Sequence, residues 1–142
     1  MSKKKWSNRK KVIMSVLGVI VVVGLFFGVR MVMGFVKYQQ IISGIEIRTP
    51  NLTQIQDGTY NGFLDAVEIS ADVDVTVKDH RITNVVINRH HYGYDRATAA
   101  EAVIHEVVSR QSLEGIDAVS GATNSTKVIL KSIQNALESG LK

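Results

Sequence analysis

The chain has 142 residues, no cysteine and a formal net charge of +4. That length suits one domain, and the missing thiols exclude disulfides, a Cys-ligated iron–sulfur cluster and a Cys nucleophile. The charge is split: eight Lys or Arg and no acid precede Ile45, while nine basic residues and all thirteen acids follow, 9 − 13 = −4, so a nucleic-acid reading from the net charge is excluded.

The basic residues Lys3 to Lys11 form an N-terminal tail, residues 1–11, and read as a topology signal. Val12 to Val29 is an 18-residue apolar run, and apolar character resumes past Arg30 to Val36. At 1.5 Å per residue the run covers ~27 Å, about the hydrocarbon thickness of a bilayer. Residues 12–36 are therefore read as a transmembrane anchor with a cytoplasmic N-terminus, since six basic residues stand before it. The C-terminal part then lies outside the membrane. The rival is a cleaved signal peptide, but no small-x-small cleavage pattern follows the run. Residues 37–56 read as a juxtamembrane stalk with Pro50 as the single proline.

Residues 57–142 form the domain. Asp57-Gly58 signals a turn and Tyr60 to Leu64 a short strand, with Tyr60 covering the sheet edge. Val67 to Val77 alternates six apolar residues with five polar ones, the pattern of a strand with one wet face. Asp65, Asp72 and Asp74 belong to that solvated face. Lys78 to Arg81 turns the chain, and Ile82 to Asn88 returns as a partner strand. His90 to Asp95 reads as a polar, aromatic loop. Adjacent histidines diverge and make a poor chelate, so no metal site is assigned there. Its Tyr92 and Tyr94 are candidate stacking partners for an aromatic ligand. Ala100, Val103, Ile104, Val107 and Val108 predict a helix over 96–111, with His105 on its polar side. Ser112 to Ala122 is a loop. Val128, Ile129, Ile133, Ala136 and Leu137 mark a second amphipathic helix ending near Gly140. The fold class is α+β: a small antiparallel sheet packed with two amphipathic helices, behind one N-terminal transmembrane helix.

The stretch from Asp117 to Thr123, Asp-Ala-Val-Ser-Gly-Ala-Thr, stands between the two helical segments. Gly121 permits a backbone angle closed to other residues. Thr123 opens the next helix with its hydroxyl beside unpaired backbone N–H groups. Three readings fit the spacing: an ordinary helix cap, a phosphate cradle, or a Thr hydroxyl presented for phosphoester chemistry.

Asp117, Ser120, Gly121, Ala122 and Thr123 fit Asp, two variable residues, Ser or Thr, then Gly-Ala-Thr. The stretch resembles the flavinylation motif of the FMN-binding domain family. That family includes flavin-carrying subunits of sodium-pumping NADH:quinone reductases and of Rnf-type complexes, and small extracytoplasmic proteins of Gram-positive bacteria. Asp57 to Gly62 resembles the family's opening turn and strand, and Gln111-Ser112-Leu113 and Asn135-Ala136-Leu137 also agree. The resemblance spans roughly Leu52 to Leu141.

The resemblance implies FMN held covalently as a phosphoester on Thr123. A separate flavin transferase would donate it from FAD with Mg²⁺. A Thr hydroxyl is a weak nucleophile unaided, so base and metal must come from that partner. Ser120, Gly121 and Ala122 keep the loop slim. Asp117 orients the loop through backbone N–H groups or helps place the transferase's metal. Asn124 and Ser125, with Thr126, add donors at the helix start, and Ser125 and Thr126 are rival acceptors that the motif passes over. No catalytic residue is assigned. The expected role is a membrane-anchored electron carrier between a membrane donor and an extracytoplasmic acceptor. The alternatives are a non-covalent FMN-binding module or sensor, and a flavin-free accessory subunit of a membrane complex.

Overall fold

Alternating apolar residues make β2 (Ser70–Lys78) the middle strand of a three-stranded antiparallel meander in the computed structural model, which describes residues 8–91 and 97–141. Ala71, Val73, Val75 and Val77 face inward with at most 1 % exposure. Their polar neighbours face the solvent side, as period-two alternation requires. β1 (Gly58–Asp65) and β3 (Arg81–His91) flank it in the order β1-β2-β3. The fold is α+β: this sheet, covering helices and a long apolar N-terminal helix.

The described residues fall into two compact units that divide between Val36 and Lys37. The first belongs to α1 (Asn8–Gly44), whose apolar residues from Val12 to Val36 are exposed. This helix is long and apolar enough to cross a membrane, and an N-terminal signal sequence has the same character.

In the second unit, the last turns of α1 bring Tyr38, Ile41 and Ile42 to the core. Residues 37–56, read as a stalk, are knitted into the domain. Ile42 and Ile55 are buried, and Thr49 Oγ1 accepts from Leu113 N–H at 2.9 Å. A short 3₁₀ turn, Leu52–Gln54, is capped by Asn51.

α4 (Thr123–Ser139) lies across β1 and β2. Its Val128, Ile129, Ile133, Ala136 and Leu137 are fully buried, the larger of them each contributing about 1.5–3 kcal/mol relative to exposure. The approach is close because β1 carries Gly62 where the helix passes. A Cβ at Gly62 would collide with the Ser132 carbonyl and the Ala136 backbone. Two polar bonds set the register of helix on sheet. Ser132 Oγ donates to Ala71 O at 3.0 Å, and Asn135 Nδ2 donates to Phe63 O at 3.0 Å.

Several boundaries differ from the sequence reading, beyond shifts of one or two residues at strand ends. The second strand begins at Ser70, because Val67 sits in the preceding turn at φ 70°. Asp65 Oδ1 accepts from Val67 N–H at 2.8 Å, and Ala66 N–H bonds Ile69 O at 2.8 Å. This Asx-type turn overrides the alternation and leaves Val67 exposed. The third strand runs on to His91, so His90 and His91 are strand residues rather than loop. The helix expected over 96–111 is divided into α2 (Ala97–Ala100) and α3 (Val103–Arg110). Through the break the bonds are of the i→i−3 kind, Ala102 N–H to Ala99 O and Ile104 N–H to Glu101 O, both 3.2 Å. That tighter winding eclipses residues three apart, which turns both Ala100 and Val103 into the core. Lastly, α1 extends eight residues past Val36 to Gly44.

α3 ends at Gln111 in the left-handed conformation, φ 56°. Its side-chain amide completes the start of β3. Oε1 accepts from Ile82 N–H at 2.8 Å, and Nε2 donates to Ile82 O at 2.9 Å. The helix end is thereby pinned to the strand, and the loop toward Thr123 starts from a defined point.

Candidate functional site

Residues Val119 to Ala122 form a tight turn closed by Ala122 N–H donating to Val119 O at 2.9 Å. Gly121, third in the turn, has φ 78°. A positive φ at that position is what a type II turn requires, and glycine supplies it without steric cost. The turn leads directly into α4. Its N-cap is Ala122, φ −141°, which offers no capping side chain. The ordinary cap, one of the three readings of this stretch, is therefore absent. The helix starts with its N-terminal partial positive charge, about half an elementary charge, unmet by a cap side chain.

Thr126 ties the turn from behind. Its buried Oγ1 donates to Ala122 O at 3.0 Å and accepts from Val119 N–H at 3.3 Å. Both ends of the turn thus meet at one hydroxyl. Ile116 and Val119 pack partly on the core, and Ala122 is fully buried. The residues between them are forced outward. Asp117, Ser120, Gly121 and Thr123 are all exposed. The start of the loop is held by Arg110, whose guanidinium donates to Gly115 O at 2.9 Å.

The candidate residues thus fall into two groups. Asp117, Ser120, Gly121 and Thr123 share the outer side of the turn. Ala122 and Ser125 are buried, at 0 % exposure, and Thr126 at 1 %. Asn124 is half-buried, and its Nδ2 donates to the Tyr38 hydroxyl at 2.7 Å. Among the described residues, the Asp117 carboxylate makes none of the hydrogen bonds that hold the loop. Thr126 has that part, and sequence reasoning passed over it as a rival acceptor. Tyr92 and Tyr94 lie outside the described residues. At the inner side of β3, the His90 ring is 3 % exposed and its Nδ1 stands 3.3 Å from Glu101 Oε1.

On the open face of the sheet, Asn61 Nδ2 donates to Asp72 Oδ1 at 2.6 Å and to Asp74 Oδ1 at 2.9 Å. The Asn61 bond foremost, then Asn88, holds the Asp74 carboxyl below its ordinary value of 3.8, against a small opposing effect of burial. Among the described residues no group of three or more His, Asp or Glu stands together as a metal site.

Residues 67–138, just over half of the chain, match the FMN-binding domain. The chain belongs to the FMN-binding domain family. The matched span opens at the β1–β2 turn and contains β2, β3, α2, α3, the Asp117–Thr123 turn and nearly all of α4. The opening turn at Asp57 to Gly62 falls before it, although β1 pairs with β2 along its whole length. No curated protein and no solved structure matched the chain.

A phosphate monoester fits the turn on chemical grounds. Thr123 offers an exposed hydroxyl, Gly121 keeps the neighbouring backbone bare, and the helix start is positive and uncapped.

Proposed function

We propose that this FMN-binding domain protein is a membrane-anchored, extracytoplasmic electron carrier with FMN joined by a phosphoester to the Thr123 hydroxyl. The observation that carries the reading is the difference in exposure among three neighbouring hydroxyls. Thr123 is exposed, while Ser125 and Thr126 are buried. An acceptor that a second protein must reach has to be on the surface, and of these three only Thr123 is.

A flavin transferase would supply Mg²⁺ and the base, taking FMN from FAD. The Thr123 oxygen replaces AMP on the FMN phosphorus, and its proton goes to the transferase's base. Asp117, exposed beside the turn and taking no part in holding it, is available to that partner's metal. Bound flavin would supply the redox chemistry, and this chain supplies attachment and electrostatics. The backbone start of α4 stabilises the phosphodiester anion. The electrons would come from a membrane donor and leave to an extracytoplasmic acceptor.

The test is denaturation of protein purified from cells that contain the transferase. Yellow colour that stays with the unfolded chain supports the covalent reading. Colour released to the supernatant means a non-covalent module, and no flavin absorbance at all means an accessory subunit.

A further inference from the structure

Asn124, Ser125 and Thr126 were expected to add donors at the start of α4, but the fold commits them elsewhere. Asn124 Nδ2 donates to Tyr38 Oη at 2.7 Å. Ser125 is buried, and the buried Thr126 hydroxyl closes the turn behind Thr123. The next polar side chain is Lys127, half-buried and four residues after Thr123. Residues four apart share one helix face with Cβ atoms about 5–6 Å apart, and helical side chains lean toward the N-terminus. Lys127 therefore covers the turn that Thr123 opens. Among the described residues no acid pairs with it. Lys131, one turn further on, donates to Glu46 O at 3.4 Å, and the Glu46 carboxylate is taken by Arg48 at 2.6 Å.

The charges of α4 also run against its dipole. A helix is stabilised by acids in its first turn and cations in its last, and α4 has neither. Its lysines are Lys127 and Lys131, and its single acid, Glu138, stands beside the C-terminal end. The pattern becomes favourable once an anion sits at position 123, because an anion four residues N-terminal to a lysine is the better of the two orders. We propose that Lys127 binds the phosphodiester on Thr123, its ammonium pairing with a phosphate oxygen across one turn of α4. This rests on the covalent attachment at Thr123. The flexible four-carbon stem carries the ammonium that distance. The FMN phosphate is thereby held at a second point, over the ridge from Thr123 to Lys127, instead of turning freely about the threonine side chain.

The full chain, expressed with and without the flavin transferase, is reductively methylated with isotope-labelled formaldehyde, which marks each lysine and keeps its charge. Intact mass, taken before labelling, establishes whether FMN is attached. Carbon NMR then titrates the labelled amines, with Lys127→Arg and Lys131→Arg assigning the two signals by their loss. A phosphate anion in contact favours the ammonium form. On loading, the Lys127 midpoint is expected to rise and the Lys131 midpoint to rise less. A Lys127 midpoint that is the same with and without FMN, or that moves no more than that of Lys131, overturns the inference and leaves the attachment standing. A chain that gains no FMN overturns the attachment at Thr123, and the inference with it.

Discussion

The Thr126 hydroxyl accepts a hydrogen bond from Val119 N–H at 3.3 Å while donating to Ala122 O at 3.0 Å. One buried side chain thus closes the turn that carries Gly121 and delivers Thr123 to the surface. The exposed threonine and the buried one, three residues apart, have separate places: Thr123 stands on the outer side of the turn, and Thr126 holds the turn from within.

Thr126→Val keeps the volume but leaves Val119 N–H and part of Ala122 O without their partner. An unsatisfied buried donor costs about 1–3 kcal/mol. The expected outcome is a lower urea midpoint and slower flavin loading by the transferase, with Thr123 still in place. Thr126→Ser keeps the hydroxyl and is expected to load at close to the wild-type rate. Equal loading by Val and Ser variants would count against the clamp.

Gly121→Ala places a Cβ on a residue at φ 78°. The left-handed conformation costs an L-residue roughly 1–2 kcal/mol. Calorimetry should show that loss, and flavin loading should fall because the turn relaxes toward a different shape.

The legibility of the chain followed the range of the interactions. β2 and α4 could be read because their apolar residues repeat with the period of the element and face one core. The turn before α4 could be read because its residues are contiguous. Long-range facts left no periodic trace. Nothing local to Gly62 announces that α4 crosses there, and Gln111 looks like a helix end rather than the partner of Ile82. Thr126 appeared as one more hydroxyl near the motif, since its value depends on a bond back to Val119. Val67 extended the alternation by its composition, yet the Asp65 side chain drew it into a turn. Residues 37–56 looked polar and linker-like because their core contacts, Ile42 and Ile55, are isolated positions.

Gly62→Ala tests the helix–sheet contact. The added methyl meets the Ser132 carbonyl and the Ala136 backbone, which cannot yield as a side-chain tip would. Overpacking of this kind costs typically about 1–3 kcal/mol. A fall in the thermal midpoint with retained α+β circular dichroism is the expected result. An unchanged midpoint would contradict the close approach.

Asp74 gives a pH dependence of defined sign. Its folded pKa lies below 3.8, with the Asn61 hydrogen bond as the main cause. A carboxylate lowered on folding contributes stability above its unfolded pKa, and that contribution is lost as pH falls through the folded value. The stability gap between wild type and Asn61→Ala should be present at neutral pH and shrink below about pH 4. Carboxyl-carbon NMR should show Asp74 titrating at higher pH in the variant than in the wild type.

The most direct measurement is the intact mass of the protein co-expressed with a flavin transferase. The wild type is predicted to gain one FMN less one water, Thr123→Ala to gain nothing, and Ser120→Ala and Ser125→Ala to retain the gain. A wild-type chain that never gains the mass, or a Thr123→Ala chain that still does, contradicts the assignment of Thr123 as the flavin attachment residue.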